Sequence, residues 1–289
     1  MRRLALIAPA LLLSACTLGP DYKRPEVNAP PDYRSTMAPS TDPSLGEFGW
    51  WQPYPDETLQ ALIREGLPNN YDVRVAAARI VDARSQVTIA RSFQFPEVNG
   101  NASAPYQRTK GDLSPLQARE TLTPSGGLDF GYEFDFWGRF RRGTEAARAD
   151  FLATEYGRRF ILTTLVSDLA SAYFSLRALD EELVIARRTL DSRVQSLKLV
   201  KLREEGGVAG LIDVRQSEIL VAAAAQTVPD IERQIEQTEN AISILVGRSP
   251  APVARGRELR AQVAATSLPA GVPASLLERR PDIQQAEQV

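Results

Sequence analysis

The sequence predicts a mainly α-helical protein built on a long antiparallel helical hairpin and carrying one β-hairpin. Three patterns predict it. Leucine recurs every seventh residue at Leu162, Leu169, Leu176, Leu183, Leu190 and Leu197. A second heptad series, Val221, Val228, Ile235 and Ile242, follows a glycine-rich break. Between residues 98 and 136 the apolar period changes from helical to two.

The first series is filled in by Leu165, Ala172, Leu179, Ala186 and, past a polar break at Arg193, Val200. This 3-4-3-4 spacing lays one apolar seam along a helix and predicts a left-handed coiled coil. No proline interrupts residues 143–203, so the helix is roughly 60 residues and about 90 Å long at 1.5 Å per residue. A buried helix of a globular bundle is the alternative, but such helices seldom keep a strict heptad over this length. Gly206-Gly207-Val208-Ala209-Gly210 ends the helix. The returning series is interleaved with Ala224, Ile231, Thr238 and Leu245 and runs to Gly247, with Pro250 and Pro252 beyond. Pro229 is placed to kink it. The two helices are expected to pair antiparallel with their tip at residues 206–213. A docking surface and a simple connector fit that small tip equally well.

With 289 residues the chain has room for one large or two small domains. A net charge of −2 gives no electrostatic sign of a nucleic-acid partner. Histidine is absent, which removes the commonest general base and metal ligand. The single cysteine, Cys16, rules out an internal disulfide or a CxxC site within the chain. No catalytic residue, metal site or cofactor is expected. Arg139, Arg141 and Arg142 ahead of a leucine heptad resemble the basic region of a bZIP DNA reader. Gly138 and Gly143 interrupt that segment, however, and an aromatic strand and a secretory signal precede it.

That signal occupies residues 1–15. Arg2 and Arg3 form a positive start, and residues 4–13 an apolar run too short to span a bilayer. Leu13-Ser14-Ala15-Cys16 resembles a bacterial lipobox, which implies lipid attachment at Cys16; the alternative is a plain cleavage site with an incidental cysteine. Several acyl chains on Cys16 would anchor the chain stably to membrane lipid. Thr17 rather than aspartate follows, and that resemblance implies export to the outer membrane. Residues 16–55 are proline-rich and read as an extended tether, with Trp50-Trp51 packing it onto the body.

Residues 56–95 read as two helices. The first is expected at 56–66, closed by Gly66 and Pro68. The second is expected at 71–93, with Val73, Ala76, Ile80, Ala83, Val87 and Ala90 on one stripe. In residues 96–137, Leu128, Phe130, Tyr132, Phe134 and Phe136 alternate with Asp129, Gly131, Glu133 and Asp135. Val98 to Tyr106 repeats the pattern more weakly, and residues 108–127 read as a polar loop. Two strands of about ten residues match a transmembrane β-hairpin. The alternative, a soluble hairpin with its aromatic face on a core, yields to the outer-membrane address. Asp129, Glu133 and Asp135 share a face in this reading, as lumen-facing carboxylates rather than a glycosidase pair. Tyr132 and Trp137 fit an interfacial aromatic girdle, with the three arginines just inside.

Two membrane strands cannot stand alone, because open edges in lipid leave backbone groups unpaired. Closure takes at least about eight strands, so the chain must oligomerise to form a pore. Several stretches carry a family resemblance: Leu13-Ser14-Ala15-Cys16, Gly19-Pro20-Asp21-Tyr22-Lys23-Arg24-Pro25, Phe134-Asp135-Phe136-Trp137-Gly138-Arg139, Glu239-Asn240-Ala241 with Leu245-Val246-Gly247, and Leu268-Pro269-Ala270-Gly271-Val272-Pro273 leading to Leu277-Glu278-Arg279-Arg280-Pro281-Asp282-Ile283. Together they are similar to the outer-membrane factors, the TolC-like channels of tripartite efflux pumps, in the NodT-type lipoprotein branch.

The resemblance implies a homotrimer whose strands contribute to a trimeric outer-membrane β-barrel of twelve strands, with a periplasmic tunnel of helices formed here by residues 138–248. It implies passive export of drugs or other small solutes, driven by an inner-membrane resistance-nodulation-division pump through a periplasmic adaptor; the alternative is a lipid-anchored structural coiled-coil protein without transport activity. In the family the hairpin tip meets the adaptor with the pattern Gly, two residues, Ser or Thr, two residues, Asp. Gly207 and Asp213 match, while Gly210 stands at the hydroxyl position. The stretch from Leu67 to Ala76 also resembles that from Leu277 to Ala286 without a gap. Residues 249–289 are therefore expected to be a linker and the start of a second, truncated repeat. A trimer of two-stranded chains would fall below the strand number of a closed membrane barrel, so this chain alone is not expected to conduct.

Overall fold

The computed structural model describes residues 17–26, 54–111, 114–262 and 277–289. The apolar run 4–13, Cys16, Trp50-Trp51 and the stretch from Leu268 to Pro273 lie outside the described residues. The chain divides into two compact units, one of residues 1–26 and 80–152 and one of residues 27–79 and 153–288. Its helices are α1 (Glu57–Asn69), α2 (Tyr71–Ser92), α3 (Arg139–Glu205), α4 (Leu211–Val246) and α5 (Pro281–Gln288). Its strands are β1 (Glu97–Ser103), β2 (Tyr106–Gly111), β3 (Ser114–Leu122) and β4 (Ser125–Gly131). Among the described residues no helix is long and apolar enough to cross a membrane.

The second unit holds the core, and the heptad register is visible in its burial. Along α3, Leu165, Leu169, Leu176 and Ala186 are buried, and Leu162, Ala172, Leu179, Leu183, Leu190, Leu197 and Val200 are half-buried. Arg193, the polar break, is exposed. Along α4, Ile231, Ile235 and Ile242 are buried, while Val221, Ala224, Val228, Thr238 and Leu245 are half-buried. Two ion pairs fix the antiparallel register. Arg187 Nη2 lies 2.7 Å from Glu232 Oε1, and Lys201 Nζ lies 3.4 Å from Glu218 Oε1. The step from 187 to 201 runs fourteen residues forward, and that from 232 to 218 fourteen back. Each is two heptads, as an antiparallel pair requires.

Helix α1 adds Leu59, Leu62 and Ile63 to this core. It continues past Gly66 and through Pro68 to Asn69 rather than stopping at residue 66. The glycine answers a packing need: a Cβ there would lie 3.0 Å from Leu169 Cδ1. Asn70 then caps α2, accepting from the N–H groups of Asp72 and Val73 at 2.9 and 3.1 Å. Its amide donates to the Leu245 carbonyl at 2.9 Å, tying the helix start to the end of α4. The predicted α2 stripe is the face turned from solvent, with Val73 and Ala76 buried and Ile80, Ala83, Val87 and Ala90 half-buried.

Asp56 is 1% exposed and acts as a hub. It caps α1 through the N–H of Thr58 at 2.8 Å and of Leu59 at 3.3 Å. It also accepts from Tyr173 Oη at 2.9 Å, Arg257 N at 3.0 Å and Gln262 Nε2 at 2.9 Å. Residues 251–257 thereby form a strap across α3 and α4. Val253 is buried, its N–H donates to Glu239 at 3.0 Å, and Arg255 pairs with both Asp180 and Glu239. Burial, against the N–H donated by Gly256 and with Asp56 in support, pushes the Tyr173 phenol up to about 12. Helix α5 starts at Pro281, as far beyond Tyr71 as Leu277 is beyond Leu67. Gln285 of α5 lies over Gly157 of α3, 3.3 Å from where a Cβ would be.

The first unit contains the strands. β1 pairs antiparallel with β4, and β2 with β3. The stretch expected as a polar loop, 108–127, is therefore largely strand, a continuation of the same hairpin. Polar composition concealed it, because these residues carry little apolar alternation. The two ladders separate at Ala104-Pro105, opposite Thr123-Pro124. Proline cannot donate to a ladder, and here one stands on each side, one residue out of step, with the Thr123 N–H donating to the Pro105 carbonyl at 3.2 Å.

Candidate functional site

The site has two parts: a strand face in the first unit and a helical tip in the second. In the β1–β4 ladder Val98 faces Phe130 and Gly100 faces Leu128, while Asn99 faces Asp129 and Ser103 faces Ser125. Directly opposed residues share a face, so one side is apolar and the other polar. Leu128 is 82% and Phe130 73% exposed. Large apolar groups thus stand on an open sheet face, as a lipid-facing strand requires.

The aromatic alternation outlasts the strand. β4 ends at Gly131, where its partner begins at Glu97 after Pro96, and among the described residues no strand pairs with 132–136. Tyr132, Phe134, Phe136 and Trp137 instead contact one another in sequence, edge-on, tilted and edge-on, at ring separations of 4.8, 5.8 and 6.0 Å. The three carboxylates expected on one strand face are consequently dispersed. Asp129 stays in the ladder, and Glu133 binds Arg139 through both oxygens at 2.9 Å. Asp135 accepts from the Arg141 N–H at 3.1 Å and caps the start of α3 from outside the helix.

Residues 17–21 dock on this turn. Leu18 N–H donates to the Trp137 carbonyl at 3.0 Å, and Arg142 reaches Asp21 at 2.6 Å. Gly138 has φ +79°, and a Cβ on it would lie 2.7 Å from Thr17 Cγ2. Conformation and space both require glycine there. Sequence reasoning missed this contact, which joins residues about 120 apart; the basic character of Arg142 gave no hint of its partner.

At the tip, the structure brings Gly207, Gly210 and Asp213 together in one tight reversal. Val208 N–H donates to the Arg203 carbonyl and Gly207 N–H to the Glu204 carbonyl, both at 2.8 Å. Gly207 is left-handed at φ +71°. This is the Schellman pattern that ends a helix. Gly210 begins α4 in extended backbone, φ −89° and ψ 158°, and its N–H donates to Asp213 Oδ2 at 3.0 Å. That is the return half of a capping box; the other half needs a hydroxyl at position 210. The tip therefore runs helix stop, left-handed glycine, helix start. Val208, Leu211 and Ile212 are 60–72% exposed around it, while Val214 is buried. Arg215 and then Lys201 hold the Glu218 carboxyl below the usual carboxylate range. Because space at Gly207 is open, Gly207→Ala tests backbone strain alone. The expected loss is about 1–2 kcal/mol, read as a lower thermal midpoint with secondary structure retained.

The family described as outer membrane efflux protein matches residues 62–248. The probable efflux pump outer membrane protein TtgC of Pseudomonas putida is 35% identical over 98% of this chain and 60% of its own length. The probable outer membrane lipoprotein SilC of Salmonella typhimurium is 29% identical over 99% of this chain and 62% of its own. The solved outer-membrane channel OprN superposes with a TM-score of 0.78 at 32% identity, over 94% of this chain and 61% of that one. The chain thus spans about 60% of the length of these relatives. With the helical hairpin, the two-faced strand ladder and these matches in agreement, the chain belongs to the outer membrane efflux protein family and has the fold of its TolC-like channels.

Proposed function

We propose that this chain forms part of the outer-membrane channel of a tripartite efflux pump, in the NodT-type lipoprotein branch. The observation that carries the reading is the exposed apolar side of the β1–β4 ladder on the same chain as the 67-residue helix α3 and its returning partner. Lipid would cover that side, and the polar side, with Asn99 and Asp129, would face a wet lumen. The role is passive conduction rather than catalysis, with small solutes such as drugs leaving through a homotrimer. A periplasmic adaptor would meet the tip at Gly207, Gly210 and Asp213, and a resistance-nodulation-division pump would supply the energy. Cys16 would carry lipid and hold residues 17–21 at the membrane face; the name of SilC supports a lipoprotein.

Deleting the gene should raise cellular accumulation of several members of a panel of drugs, dyes and metals, and complementation should restore export. Unchanged accumulation across the panel would remove the efflux reading. Labelled palmitate should enter the wild type and not Cys16→Ser. Equal labelling of both would end the lipoprotein assignment while leaving the channel intact.

A further inference from the structure

The α3–α4 pair changes character partway along. On the proximal side both helices bury side chains fully, from Leu165 to Ala186 on α3 and from Ile231 to Val246 on α4. Beyond that level no residue in 187–205 is buried, and none in 215–230. Val214, next to the tip, is buried; otherwise the half-buried Leu190, Leu197, Val200, Val221, Ala224 and Val228 line this part of the pair, with ion pairs beside them.

Two irregularities coincide there. The register set by Arg187–Glu232 and Lys201–Glu218 puts Arg193, six residues past 187, level with Gln226, six before 232. Arg193 is the one seam position of α3 left exposed. Pro229 lies inside α4 and has no N–H, so the carbonyl four residues back, on Ala225, loses its helical partner. Ala225 is one residue from the level of Arg193. It also ends a run of four alanines, Ala222 to Ala225, which offers little surface for packing.

We propose that Arg193 and Pro229 form a joint about which residues 194–225 bend as a unit, while the proximal pair and its strap stay fixed. Pro229 takes a hydrogen bond out of α4, and Arg193 leaves the seam without an apolar side chain from α3. At a common level they loosen the pair, leaving the tip free to tilt without disturbing the buried core. A bend of this kind lets one tip geometry meet partners that sit at different angles. The joint is a property of the helical pair and stands whether or not an adaptor is the partner.

Hydrogen exchange on the full, membrane-extracted chain tests it. In the wild type, amides of 194–225 should exchange at least about tenfold faster than those of 165–186 and 231–246. In the double variant Arg193→Leu/Pro229→Ala the distal rates should fall by about fivefold or more, one restored hydrogen bond and one filled seam position being enough. Equal wild-type rates on the two sides, or unchanged distal rates in a variant with a protected core, would overturn the proposal. Should the variant lose core protection, spin labels at positions 182 and 205 in a Cys16→Ser background decide. A broad distance distribution supports the joint, and a narrow one removes it.

Discussion

Truncating Leu176 to alanine is expected to cost about 2–5 kcal/mol, and Leu176→Asp to prevent the helical pair from forming. Leu176 is fully buried, at the centre of the seam and in the cluster that also contains Leu59, Tyr173 and Ile242. Alanine would leave a cavity among three helices that are held apart by their other contacts. Aspartate would place an unpaired carboxylate in the same space, at a larger cost. Arg187→Ala is the control. Its ion pair with Glu232 is exposed on both sides, so its loss should cost no more than about 1 kcal/mol. Thermal melting and protease resistance of the three variants would measure this order. A natively assembled Leu176→Asp protein would show that the heptad register is wrong.

The second large effect is expected at Asp56. Asp56→Ala removes the cap of α1 and strands buried donors from α3 and the strap, for a loss of about 3–5 kcal/mol. Tyr173→Phe isolates one arm of the hub and adds a pH signature. The Tyr173 phenol titrates at about 12, against an ordinary value of 10.0. The folded state therefore keeps a proton that the unfolded state releases. This contribution is present below about pH 10 and is lost as pH rises through 12. Stability of the wild type should fall across that window, and the fall should be shallower in Tyr173→Phe. Identical pH slopes would remove Tyr173 as the titrating group.

The helical half of the fold was legible because a seam repeats. Each of Leu162 to Leu197 is a separate statement of the same period, and burial follows it residue by residue. The start of α2 was legible from Asn70, whose side chain caps whatever helix follows. The strands were half legible. Residues 128–130 face open space on one side and alternate, but the sequences of β2 and β3 are largely polar, so composition marked them as loop. The end of β4 was misplaced for another reason. Alternation of Tyr132, Phe134 and Phe136 persists without a ladder, and their rings meet one another in edge-on and tilted contacts. At the tip, the glycine-rich break at 206–210 could be read directly, since the stop of a helix is local chemistry, while Gly207, Gly210 and Asp213 were singled out by the family's pattern. The hub could not, because Asp56 meets Tyr173 and Arg257 only after the chain has returned twice.

The two prolines of the strand hairpin, one on each side and one residue out of step, divide its closure entropy into two unequal parts. β2 ends at Gly111 and β3 begins at Ser114, so their pairing encloses almost no chain. β1 and β4 alone would have to close everything between Ser103 and Ser125. With β2 and β3 already paired, only Ala104-Pro105 and Thr123-Pro124 remain to be spanned. The inner ladder thus removes most of the ordering cost from the outer one, although the prolines keep the two from zipping as a single run. The residues with the apolar and polar faces, 97–103 and 125–131, are the ones that gain from this order, and they depend for their pairing on a segment that itself shows no such contrast.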